Sequence, residues 1–196
     1  SRRDFRNICC FTIDPVDAKD FDDALSIRRD ENNDLEIGVH IADVSYFVEP
    51  NSALDKEALK RGNSVYLVDR VLPMLPEKLS NELCSLRPNE DKATFSVVFT
   101  FDNEKNIKNY WIGKTIIHSQ RRFAYEEVQQ ILTDGSGELF DELFLLDNIA
   151  KKIRSERLKN GAIDFETEEV RFKLDEDGKP LALYVKERLD AHMLIE

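Results

Sequence analysis

Thr12-Ile13-Asp14-Pro15-Val16-Asp17-Ala18-Lys19-Asp20-Phe21-Asp22-Asp23-Ala24 places five aspartates within ten residues. The apolar run Ile8–Ile13 precedes them and Ala24–Arg29 follows, and both read as short strands. So acidic a connection is costly unless something offsets it, because like charges raise one another's pKa. Three readings meet here. The segment is a solvated acidic loop, a calcium loop of EF-hand type, or a site for hard divalent cations of the kind that cleave phosphodiesters. The EF-hand fails on register. Counted from Asp20, the sixth position is Leu25 where glycine is needed; counted from Asp14, the twelfth is Leu25 where glutamate is needed.

Outward from this loop the periodicity is that of a sheet. Leu35, Ile37, Val39 and Ile41 alternate with Glu36, Gly38, His40 and Ala42, and the polar Asp30–Asp34 stretch before them reads as a hairpin loop. Phe95, Val97, Phe99 and Phe101 alternate likewise, and Asp102-Asn103 turns the chain into a strand over Ile107–His118. Ser52 and Asp55 form a capping box for a helix that ends at Gly62.

Helices are expected over Tyr125–Leu132 and Leu139–Asn160. The second has an apolar stripe of Leu139, Leu143, Leu146, Ile149 and Ile153. Its acidic start and basic end complement the helix dipole, so the basic run reads as a solvated face. Strands near Val170–Leu174 and Leu181–Lys186 lead to a helix from Asp190. The fold class is α+β: a mixed, largely antiparallel sheet with packed helices, in one domain over residues 1–196. The chain stops just after that last helix starts, without a C-cap signal, and is expected to be part of a larger domain.

Hydrophobic residues make up 41% of the chain and charged residues 34%, the balance of a globular rather than a disordered protein. No apolar run approaches the ~20 residues of a membrane span, and no signal-peptide core follows the N-terminus. A cytoplasmic location without membrane partners is expected. Cys9, Cys10 and Cys84 lack disulfide or zinc spacing and read as reduced, mostly buried thiols. The net charge of −11 argues by itself against nucleic acid.

Asp14-Pro15-Val16-Asp17-Ala18-Lys19-Asp20-Phe21-Asp22-Asp23-Ala24 resembles the signature of the ribonuclease II/ribonuclease R family, whose members carry an RNB catalytic domain. Further blocks agree in family order: Val39–Ser45, Arg61-Gly62 through Tyr66, Leu72–Pro76, Leu79–Leu86 and Asp190-Ala191-His192. The ribonuclease R branch is the most similar.

The resemblance implies a Mg²⁺-dependent 3′-to-5′ exoribonuclease that hydrolyses single-stranded RNA to nucleoside 5′-monophosphates by a two-metal mechanism. It puts Asp14, Asp20, Asp22 and Asp23 on the family's catalytic, metal-holding aspartates, with Asp22 closest to the chemical step. It puts Tyr66 beside the last nucleotide. Phe165, in Gly161-Ala162-Ile163-Asp164-Phe165, resembles an aromatic that stacks on a terminal base, and core packing is its other reading. Asp17 is outside the quartet, either supporting it or simply at the surface.

The resemblance also implies that the C-terminal part of the catalytic domain and the flanking OB-type RNA-binding modules lie outside this chain. That would reconcile an RNA substrate with an acidic segment. The rival expectation is a catalytically inactive RNA-binding fragment of the same domain. A calcium-stabilised interaction domain is more distant. His40, His118 and His192 read as satisfied core histidines, and Arg121-Arg122 either touch RNA or pair with acidic neighbours.

Overall fold

The computed structural model describes residues 1–68, 70–163, 170–175 and 179–196. In chain order, the first elements are β1 (Arg3–Asp4), β2 (Cys9–Asp14), β3 (Asp23–Arg29), β4 (Leu35–Ala42), α1 (Ala53–Arg61), β5 (Val65–Tyr66) and β6 (Val71–Leu72). Then come β7 (Asp91–Phe101), β8 (Ile107–His118), β9 (Arg121–Ala124), α2 (Tyr125–Asp134), α3 (Phe140–Lys159), β10 (Val170–Leu174), β11 (Pro180–Val185) and α4 (Asp190–Ile195). The chain divides into two compact units: residues 1–64 with 73–124, and residues 65–72 with 125–196.

The first unit is built on a seven-stranded sheet in the order β1-β8-β7-β4-β3-β2-β9. The pairs β2–β3, β3–β4, β4–β7 and β7–β8 are antiparallel, as the alternation predicts. The outermost pairs, β1–β8 and β2–β9, are parallel. They make the sheet mixed, and they join segments too short to announce themselves as strands.

Register explains the core. Cys10, Ala24, Ala42, Val98 and Ile117 fall on one face of the sheet and cluster with Phe5, Phe21, Leu79, Cys84 and Leu86. The same face holds a polar seam. His40 is fully buried, with Nδ1 2.7 Å from Ser96 Oγ and Nε2 2.7 Å from Ser26 Oγ. It is therefore a satisfied core histidine, as expected. Burial pushes its pKa down to about 4. Gly38 is the neighbour this arrangement requires: a Cβ there would stand 2.5 Å from Ser26 Oγ and 2.6 Å from His40 Nε2.

His118 departs from the core reading. It pairs with Asp91, Nδ1 to Oδ1 at 2.8 Å, at a partly exposed position, because the strand end carries it out of the seam. Helix α1 is capped as its sequence predicts, with a variation. Ser52 Oγ accepts from Asp55 N–H at 3.1 Å, but the Asp55 carboxylate reaches the N–H of Asn51 at 2.8 Å rather than that of Ser52. Gly62 closes the helix at φ 77°.

In the second unit, α3 buries Leu143, Leu146 and Ile149 along its apolar stripe. It starts one residue later than the periodicity predicts. Leu139 adopts the left-handed conformation (φ 54°, ψ 31°) and precedes the helix instead of opening it. His192 stacks on Tyr125, ring centroids 4.2 Å apart, and its Nδ1 accepts from Leu189 N–H at 3.0 Å. The hairpins β5–β6 and β10–β11 complete the unit.

Candidate functional site

Asp14 ends β2, just before Pro15, where the residue preceding proline is held extended. Asp23 opens β3. The ladder between these strands stops at Phe11↔Leu25, so the aspartate segment runs free of it. Within the segment Phe21 is buried in the core. Asp20 and Asp22 flank it, and the near-extended alternation turns both away from the ring.

The four carboxylates share one electrostatic neighbourhood. Asp14 is buried, and its Oδ2 has no hydrogen-bond partner. Burial pushes its carboxyl up to about 6; Asp23 and Asp22 add to the shift, and the Arg122 guanidinium opposes it. Asp22 reaches solvent, yet the protein around it raises its pKa, with Asp20 adding to the effect. Asp23 is raised by burial and then by Asp22. Asp17 is exposed.

Crowded carboxylates and an orphaned buried oxygen suit a hard divalent cation, whose ligands are oxygens. Among the described residues, no three His, Cys, Asp or Glu side chains close on one point as a finished metal site. What these residues supply is the donor set.

Arg122 settles one of the open readings. Its Nη2 donates to the Pro15 carbonyl, its guanidinium lies over the Phe21 ring at 5.5 Å, and its Nε is buried without a partner. It therefore braces the loop by a backbone carbonyl and a ring. Tyr66 belongs to the second unit, exposed on β5 opposite Val71. Phe165 lies outside the described residues.

Two contributors escape a reading by motif. Ala42 N–H donates to the Asp22 carbonyl at 2.9 Å, and the backbone of Phe21 bonds to Ser85 and Leu86. Neither residue type signals such a task, since both act through the backbone from distant parts of the chain.

The RNB domain model matches residues 2–196. The chain belongs to the RNB family. It is 43% identical over 201 residues to ribonuclease R of Aquifex aeolicus, covering all of this chain and 28% of that protein. It is 43% identical over 211 residues to DIS3-like exonuclease 2 of Schizosaccharomyces pombe, covering all of this chain and 23% of that protein. This RNB chain thus spans about a quarter of the length of the curated relatives it matches.

Among solved structures it is similar to Mycoplasma genitalium RNase R in complex with ribose-methylated single-stranded RNA. The TM-score is 0.89 at 32% identity, over 99% of this chain and 31% of that one. The same protein has been solved with double-stranded RNA. Yeast Ssd1, described as a pseudonuclease, is also similar, with a TM-score of 0.73 at 29% identity over 85% of this chain and 21% of that one.

Proposed function

We propose that this RNB chain is the aspartate-bearing part of a 3′-to-5′ exoribonuclease that hydrolyses single-stranded RNA to nucleoside 5′-monophosphates. The observation that carries it is Asp14: a buried carboxylate with an orphaned oxygen, coupled by charge to Asp22 and Asp23, with Asp20 acting on Asp22. Membership of a family that includes ribonuclease R supports the reaction class, and the RNase R–RNA complexes support the substrate class.

Asp14, Asp20, Asp22 and Asp23 would hold Mg²⁺, in a two-metal arrangement. Bound there, Mg²⁺ supplies Lewis acidity toward the scissile phosphate and makes water a usable nucleophile at neutral pH. The protein's share is to keep four like charges together and to fix their backbone. Asp22, partly open to solvent, is placed to orient the attacking water. Tyr66 would set the terminal nucleotide by ring contact, and Phe165 would stack on a terminal base. A cytoplasmic location belongs to the same proposal, consistent with the three unpaired cysteines.

The similarity to a pseudonuclease supports a second reading, in which the domain holds RNA without cutting it. Nucleotide release from an oligoribonucleotide separates the two readings. It should be measured for this chain and for a longer protein containing it, in Mg²⁺, Ca²⁺ or EDTA. Mg²⁺-dependent mononucleotide release by the longer protein is expected. RNA binding without any release would favour the second reading.

A further inference from the structure

The aspartate segment has a structural problem that neither flanking strand solves. Pairing between β2 and β3 ends at Phe11↔Leu25, so the backbone from Asp14 to Asp22 has no ladder between these strands to hold it. Four mutually repelling carboxylates give it reason to spread, because each gains by moving away from the others. Buried backbone groups in such a segment need partners from elsewhere.

Ser85 provides them. It follows a π-helical turn over Lys78–Leu83 and is fully buried. Its Oγ accepts from the Phe21 N–H at 3.0 Å and donates to the Lys19 carbonyl at 3.4 Å. Those two groups lie on either side of Asp20, and the hydroxyl uses both its donor and an acceptor on them. The next residue continues the clasp: Leu86 N–H donates to the Phe21 carbonyl at 2.8 Å. Both backbone groups of Phe21 are therefore held by one dipeptide, and its ring is buried in the cluster that includes Cys84 and Leu86. Asp20 and Asp22 sit on the two sides of this fixed point.

We propose that Ser85 is a positioning residue, whose hydroxyl sets the Lys19–Asp22 backbone so that Asp20 and Asp22 can share a divalent cation. The inference rests on the cation reading of the aspartates given above. Groups that orient ligands in this indirect way are worth roughly 10–100-fold in metal affinity.

The test uses the purified chain and Mn²⁺ as probe, with free Mn²⁺ followed by electron paramagnetic resonance. Parent, Ser85→Ala and Ser26→Ala are compared. Ser26 is equally buried in the same sheet, but its hydroxyl serves His40. It therefore reports what losing a buried serine does to stability alone. Ser85→Ala should weaken Mn²⁺ binding about tenfold or more and speed amide exchange at Phe21. Ser26→Ala should keep the parent affinity at a comparable loss of thermal stability.

Parent-like affinity in Ser85→Ala, or an equal loss in Ser26→Ala, overturns the positioning role. Unchanged Phe21 exchange in Ser85→Ala overturns the clasp itself, whatever the cation does. A parent chain that binds no Mn²⁺ overturns the cation reading on which the inference rests. Should Ser85→Ala fail to fold, Ser85→Thr keeps the hydroxyl. It should retain both a protected Phe21 amide and near-parent affinity, and loss of affinity with that amide still protected counts against the proposal.

Discussion

The amide of Ala42 donates to the carbonyl of Asp22 at 2.9 Å, so the end of β4 holds the backbone of the aspartate proposed to orient the attacking water. Asp22 is thereby fixed through its main chain while its carboxylate reaches solvent. A group placed this way acts on the transition state more than on substrate affinity.

Asp22→Asn in a longer protein carrying this chain should therefore abolish RNA cleavage while RNA binding persists. Asparagine keeps the size and the backbone bond but not the charge. Single-turnover cleavage and filter binding measure the two effects separately. Retention of more than about a tenth of the rate, a barrier change of only ~1.4 kcal/mol, would remove Asp22 from this role.

The parts of the fold that the sequence makes legible are those with long, regular patterns. Leu35–Ile41 and Phe95–Phe101 alternate over whole strands and become the central pair β4–β7. Ser52 and Gly62 announce both ends of α1. The acidic segment is legible because five aspartates in ten residues demand an explanation. What escapes is non-local. β1 has two residues and β9 four, and each pairs in parallel with a strand far away in sequence. Ser85 meets Phe21 across 64 residues, with no periodicity to connect them. His118 looks like His40 in the sequence, each on a strand, but only the register shows which enters the seam.

His40 makes stability depend on pH. Its folded pKa, about 4, lies below the ordinary value of 6.5. Below pH 6.5 the unfolded chain takes up a proton that the folded chain refuses, so stability falls as pH drops from about 6.5 towards 4 and this loss levels off below that. The full effect is on the order of 3 kcal/mol. Urea unfolding across this range should show the decline, and His40→Gln should flatten the part that histidine contributes. A wild-type slope unchanged in the variant would mean that other groups govern it.

Gly38→Ala tests the packing of the same seam. Its Cβ would come within 2.5 Å of Ser26 Oγ and 2.6 Å of His40 Nε2, closer than real contacts allow. Both neighbours are held by hydrogen bonds, so neither yields without breaking one. A destabilisation of about 1–3 kcal/mol is expected, read as a lower urea midpoint at unchanged slope. An unchanged midpoint would show that the seam relaxes freely.

Tyr66→Ala, in a longer protein that cleaves RNA, should change where digestion stops more than how tightly RNA is held. Tyr66 is exposed on a two-residue strand, so its ring contributes little to packing, and truncation should leave the fold intact. A single ring placed against the terminal nucleotide contributes roughly 1–3 kcal/mol of stacking. That is a small share of the affinity for a long strand, which phosphate contacts dominate. It is a large share of what holds a remnant of a few nucleotides. Overall affinity should therefore fall little, while the shortest product lengthens or changes in proportion. Denaturing gels of an end-labelled oligoribonucleotide, read beside binding to a non-cleavable strand, separate the two quantities. An identical product ladder from parent and variant would remove Tyr66 from the terminal nucleotide.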